Sequence, residues 1–234
     1  MTRQDRKEVD PVTEGKYPMD DHLQAYVDKY AGWKAAGPFP FSGRVIPVQA
    51  SFTPQQKVLP REQAMEVLRS ARSFALTDCV CRAHYRRCDA PLDVCFLIDE
   101  LADKAVSRGR ARRVPFDVAA ERLKAAEEHG LVHITYYQPG RKVYAFCSCC
   151  ACCCHDLLLL LQHGRTDLVA RSDYIAATDA EHCTSCGLCT GRCVFGARIM
   201  DGGAFAYDEK SCMGCGLCVS VCPEQATVMK LRRT

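Results

Sequence analysis

The sequence predicts an α+β chain in two unequal parts, a mainly helical first part and a smaller, internally repeated second part. Three observations carry this. Apolar residues recur at helical spacing three times between residues 60 and 129. Two strand-like runs follow, separated by Pro139 and Gly140, a pair that suits a type II turn. Residues 174–234 then contain one cysteine pattern twice.

Residues 1–58 give weak signals. The stretch 37–43 is turn-rich, with Trp33, Phe39 and Phe41 available to seal it, and reads as an arm packed across the next domain. Pro60 opens a helix that carries Ala64, Val67, Leu68, Ala71, Phe74 and Ala75, proline being suited to a first helical turn. Leu97, Ile98, Leu101 and Ala105 mark a second helix over roughly 92–106. Pro115 opens a third, with Phe116, Ala119, Ala120, Leu123 and Ala126, stopped by Gly130. Residues 131–137 and 142–146 read as strands around a 138–141 turn, and 157–161 as a buried helix between domains. The division is an arm over 1–58, a cysteine-rich helical domain with a hairpin over 59–173, and a second domain over 174–234. Three helices followed by a hairpin resemble a winged-helix domain over about 60–146.

Composition bounds the function. The chain has 234 residues, 48% hydrophobic and 25% charged, which is globular and excludes a disordered or fibrous protein. With 31 basic and 28 acidic residues, the net charge of +3 does not imply a nucleic-acid partner. The charged N-terminus has no apolar segment behind it and does not read as a secretory signal. The longest aliphatic run is Leu157 to Leu161, far short of the roughly 20 residues of a membrane span. The expectation is a cytoplasmic protein whose thiols stay reduced and serve as metal ligands or catalytic groups.

The 18 cysteines fall in four blocks, whereas generic core cysteines would scatter. Cys183, Cys186, Cys189 and Cys193 form one C-x2-C-x2-C-x3-C run, and Cys212, Cys215, Cys218 and Cys222 form another, followed by Pro223. A shift of 29 residues superposes Asp179 on Asp208, Ala197 on Ala226 and Met200 on Met229 as well. Gly187 and Gly216 suit loops whose amides must come close to sulfur. Zinc commonly takes two separated C-x2-C pairs instead.

This run resembles that of the bacterial-type two-[4Fe–4S] ferredoxins, over about a quarter of the chain. The resemblance implies a pseudo-twofold α+β fold, two [4Fe–4S] clusters and one-electron transfer. It also implies crossed ligation, because the fourth cysteine of each run serves the other cluster. One cluster then takes Cys183, Cys186, Cys189 and Cys222, and the other Cys212, Cys215, Cys218 and Cys193. Val194 departs from the proline that usually follows the fourth cysteine, without removing a ligand. Acids and bases in 174–234 balance at six each, so this segment is expected to dock on its own N-terminal domain.

The remaining ten cysteines are Cys79, Cys81, Cys88 and Cys95 in one block, and Cys147, Cys149, Cys150, Cys152, Cys153 and Cys154 in the other. They are similar to blocks in uncharacterised anaerobe iron–sulfur proteins that carry a fused two-cluster ferredoxin, which makes them ligand candidates. At least one further iron–sulfur cluster is expected there, with ligands drawn from both blocks. A zinc site, a catalytic dithiol and a redox-sensing switch are the rival readings. Neighbours such as Cys149 and Cys150 point to opposite faces of an extended segment and do not ligate one cluster symmetrically. Arg82, His84, Arg86 and Arg87 can favour thiolate, neutralise a cluster or simply be solvated. His155 could ligate metal, but a histidine at a helix start before five leucines is more often an ordinary residue.

No dinucleotide fingerprint or P-loop is present. The expected function is an iron–sulfur electron-transfer protein, relaying single electrons to or from a redox enzyme or flavoprotein. The alternatives are a redox enzyme acting at an N-terminal cluster and an iron–sulfur winged-helix regulator. Against the regulator, the helix over 116–129 carries Asp117, Glu121, Glu127 and Glu128 against Arg122 and Lys124, a poor match to phosphates. The basic residues Arg108, Arg110, Arg112 and Arg113 are the feature in its favour.

Overall fold

The computed structural model of the protein describes residues 15–37, 43–46, 60–137 and 143–232. Helix α1 (Asp21–Ala36) starts at Asp20, whose carboxylate accepts from the Leu23 N–H at 2.8 Å. Then come strand β1 (Gly43–Ile46), helix α2 (Pro60–Ser70), strand β2 (Phe74–Thr77), helix α3 (Val80–Tyr85) and strand β3 (Cys95–Ile98). Helices α4 (Glu100–Ser107) and α5 (Phe116–Glu128) precede the antiparallel pair β4 (Val132–Tyr137) and β5 (Val143–Cys149). Helix α6 (His155–His163) and the short strand β6 (Val169–Ala170) complete this part. The turn expected over 138–141 lies outside the described residues, as do Phe39 and Phe41.

The six strands form one sheet in the order β2-β3-β5-β4-β1-β6. All pairings are antiparallel except β1 with β6. Side chains alternate across it, as the two-residue strand period requires. Leu76, Phe96, Ile98 and Phe146 pack against Ala64, Leu68, Ala119 and Leu123 of α2 and α5. Ile134, Tyr136, Ala145 and Cys149 pack with Leu23 and Tyr30 of α1 and Leu157 and Leu158 of α6. The second face therefore receives Cys147 and Cys149 together, two residues apart on β5.

The sheet corrects the expected mainly helical, winged-helix-like domain. The pair β4–β5 lies at its centre, not as a wing on a helical body. Phe74 and Ala75 belong to β2, and Leu97 and Ile98 to β3, where helices were expected. Short apolar runs fit a helix turn and a buried strand equally well, and here cross-strand pairing decides. Residues 21–36 and 43–46 are not a surface arm either. Strand β1 sits between β4 and β6, and α1 buries Leu23 and Tyr30 in the same core as α6.

In the last part, β7 (Tyr174–Thr178) pairs with β10 (Thr227–Leu231), and β8 (Arg198–Asp201) forms a hairpin with β9 (Ala204–Tyr207). Each cysteine run occupies the loop between two of these strands. The loop carrying Cys212 packs Met213, Cys215 and Leu217 into the core that holds Leu157 and Leu158. Val194 is buried there as well, which gives the residue that replaces proline a packing role. Arg192 donates to the Glu128 carbonyl at 2.8 Å and so caps the end of α5, which has no basic residue in its own last turn. Among the described residues, no helix is long and apolar enough to cross a membrane.

Candidate metal centre

The two cysteine runs open alike. Asp179 accepts from the Glu181 N–H and Asp208 from the Lys210 N–H, both at 2.9 Å. The Asp179 N–H donates to Ala226 and the Asp208 N–H to Ala197, both at 2.8 Å, so each run is tied to the far end of the other. Gly187 and Gly216 take φ of 77° and 79°, a left-handed backbone that glycine adopts without a Cβ penalty.

Two cavities lie beside these loops. One is lined by Cys183, Cys186, Cys189 and Cys222. The other is lined by Cys212, Cys215, Cys218 and Cys193. Each contains three cysteines of one run and the fourth of the other. Arg198 lines both. It is 3% exposed, held between Phe205 and Tyr207 and bonded to the Thr227 hydroxyl at 3.4 Å. Burial opposes its charge, but the sulfurs of Cys218 and Cys189 outweigh that and keep the guanidinium protonated. Burial pushes the Cys218 thiol up to about 12 and the Cys215 thiol well above its ordinary range.

The other ten thiols divide six and four. Cys79, Cys81, Cys95, Cys147, Cys149 and Cys154 line a cavity of about 590 Å³. Cys95 and Cys147 face each other across β3 and β5, and Cys79 and Cys81 reach them from the start of α3. The remaining four, Cys88, Cys150, Cys152 and Cys153, bring all their sulfurs within 4.8 Å of one another. Cys88 comes from the loop after α3, and the other three from the tight turn between β5 and α6. Each sequence block is thus split between two sites. Neighbours Cys149 and Cys150 separate as strand alternation requires, one into the cavity and one into the compact group.

Arg82 connects the two. It is 1% exposed, donates to the Ser148 carbonyl at 3.0 Å, and is kept charged against the cost of burial by Cys150 and Cys79. Its neighbours behave differently. Arg86 is exposed, His84 stacks on His22, and Arg87 stacks on Tyr85 and donates to the Cys152 carbonyl. His155 is buried at the cavity wall, 3.0 Å from the Cys81 sulfur through Nδ1 and 2.9 Å from the Tyr30 hydroxyl through Nε2. Burial, with Lys29 and His22, pulls its pKa down to about 3, so the imidazole is neutral near pH 7.

Sequence reasoning missed the groups that finish the large cavity. Tyr26 stacks on His155 with centroids 3.5 Å apart. Tyr136 places its hydroxyl 3.6 Å from both Cys149 and Cys154. Lys29, Lys104, Arg108 and Arg110 also line the cavity. Strand alternation along residues 132–137 was the only signal for Tyr136, and nothing local marked α1 as a cavity wall. All 18 cysteines, each among the described residues, are free of disulfides. No curated protein matches the chain. Residues 175–223, which include all eight cysteines of the repeated runs, match the family model of the 4Fe-4S dicluster domain, so this segment is an iron–sulfur domain.

Proposed function

We propose that the protein relays single electrons between a redox enzyme or flavoprotein and its own iron–sulfur centres. The observation that carries this is the lining of the two small cavities, three cysteines from one run and the fourth from the other. Cys183, Cys186, Cys189 and Cys222 would hold one [4Fe–4S] cluster, and Cys212, Cys215, Cys218 and Cys193 a second. The matched bonds from Asp179 and Asp208 support a pseudo-twofold arrangement. When bound, such clusters supply one-electron oxidation and reduction. The chain's part is to hold the thiolates, exclude water and set the local charge through Arg198.

The 590 Å³ cavity, with six thiols converging on it, has room for a further iron–sulfur cluster, with Cys79, Cys81, Cys95 and Cys147 as its best-grouped ligands. The unbridged thiols fit a reducing compartment such as the cytoplasm. A reading without nucleic acid is supported by α5, which exposes Asp117, Glu121 and Glu128, and by Arg112 and Arg113, which are paired with Asp93 and Asp103. The second reading, a redox enzyme, is favoured by one feature: the large cavity has tyrosines and cations on its wall besides thiols. An EPR spectrum of the reduced protein that changes on adding small carboxylates or phosphates would favour the enzyme; an unchanged one favours the relay.

The relay reading is tested by iron, sulfide and EPR analysis of the anaerobically purified chain. Cys193→Ala should damage the cluster of the Cys212 loop and spare that of its own loop. Loss of the Cys183-loop signal instead would refute the crossed assignment.

A further inference from the structure

Sulfur spacing separates the compact four-thiol group from an iron–sulfur cube. Cys88 and Cys150 are 3.7 Å apart, Cys152 and Cys153 are 3.7 Å apart, and all four sulfurs lie within 4.8 Å of one another. A zinc–thiolate bond of about 2.3 Å in a tetrahedron gives a sulfur–sulfur edge of about 3.8 Å. A [4Fe–4S] cube interposes a separate iron behind each cysteine sulfur, which spreads the four to roughly 6 Å. These four thiols match the edge of the single-ion tetrahedron and are too close for the cube.

We infer that Cys88, Cys150, Cys152 and Cys153 bind one zinc ion, as a closed structural site distinct from any iron–sulfur centre. Four thiolates around a divalent ion leave a net charge of −2, and the surroundings suit that charge. Arg82 lies against Cys150, and the Ala90 N–H points to the Cys88 sulfur. Three of the thiols are half-buried and Cys153 is buried, which leaves no open coordination position for a substrate once four sulfurs are bound.

The consequence is mechanical. Cys88 stands in the loop between α3 and β3, and Cys150 to Cys153 form the turn between β5 and α6. One ion tying these together fixes both loops that carry the walls of the large cavity. Cys149 and Cys154 flank the turn on either side and line that cavity. Zinc would therefore set the positions of redox ligands without taking part in electron transfer. The inference does not depend on whether the large cavity holds a cluster.

The test uses the full chain purified without oxygen. Elemental analysis should find about one zinc per chain, and zinc K-edge absorption should show four sulfur neighbours at about 2.3 Å. In the C88S/C153S double variant that equivalent of zinc should disappear while the iron–sulfur EPR signal of the 175–223 segment persists. Three outcomes would overturn the inference. They are a wild-type zinc content below about a tenth of an equivalent, a single iron in a sulfur tetrahedron in its place, or a zinc equivalent that stays undiminished in the double variant. If the variant does not accumulate as folded protein, the wild-type absorption spectrum decides alone. Iron and sulfide measured on the same samples keep failure of the zinc site distinct from failure of the relay.

Discussion

In the Cys183 loop, Cys186 is exposed and Cys183 and Cys189 are half-buried; in the Cys212 loop, Cys212, Cys215 and Cys218 are each at most 8% exposed. The residues between the cysteines follow suit. Ser185 holds φ at 52° with solvent nearby, whereas its repeat partner Gly214 holds 75° against the backbone of Tyr174. Arg192 and its partner Val221 are both buried and differ instead in what they touch, Arg192 capping the end of α5. The first loop also has exposed Ile199 and Met200 beside it. An identical ligand spacing therefore serves two environments, one tied into the shared core and one facing outward. In the proposed relay, the outward loop is the docking end and the inward loop faces the cysteine-rich sheet. Spacing determines which atoms can bind, and the surrounding packing determines who can reach them.

The largest expected difference is at the matched pair Ser185 and Gly214. An ideal Cβ on Gly214 would sit 2.1 Å from the Tyr174 carbonyl oxygen and 2.8 Å from Ser172 Cβ. Gly214→Ala should destabilise the anaerobic protein by more than about 3 kcal/mol in denaturant unfolding. Ser185→Gly should change stability by less than about 1 kcal/mol. Equal effects would show that burial is not what separates the loops.

Arg198 is the point where the two environments meet, because it lines both cavities. Removing its charge with Arg198→Gln takes away a cation and a donor to Cys189. The potentials of both proposed clusters should fall, by on the order of 60 mV if one charge-assisted bond of about 1.4 kcal/mol is lost from a one-electron couple. An EPR-monitored redox titration reads this, and potentials that stay put would remove Arg198 from the tuning of either cluster.

The smallest effect concerns the contact between the repeated segment and α5. Arg192→Met leaves the Glu128 carbonyl without its charged donor and should cost about 1 kcal/mol, with faster amide exchange confined to the last turn of α5. Exchange that quickens throughout 175–223 instead would mean that Arg192 supports the loop more than the helix.

The repeated cysteine runs were legible as an iron–sulfur segment because their chemistry is local. Three thiols at three-residue steps and a fourth four residues on can be recognised without knowing the fold. The ten other thiols were not, because their grouping depends on strand β5 turning alternate residues to opposite faces and on Cys88 meeting a turn sixty residues later. Helix α5 and the pair β4–β5 were readable from periodicity, Gly130 and the Pro139-Gly140 turn signal. Strands β2 and β3 were not, since four apolar residues carry too little period to choose between helix and strand. Nothing in the sequence singled out Arg198, and only the cavities on both sides of it reveal its place.

The split between Cys149 and Cys150 ties metal loading to the folding of the sheet. Strand β5 is registered against β4 through Val132 with Cys149 and Ile134 with Cys147. A slip of one residue would turn Cys147 and Cys149 away from the large cavity and bring Cys150 toward it, leaving both thiol groups short of sulfur. A misregistered chain would thus be a poor metal binder at two sites at once. With a cluster and a zinc ion bound as proposed, the correctly paired chain would gain the binding energy of both, and the metals would act as proofreaders of strand alignment during assembly.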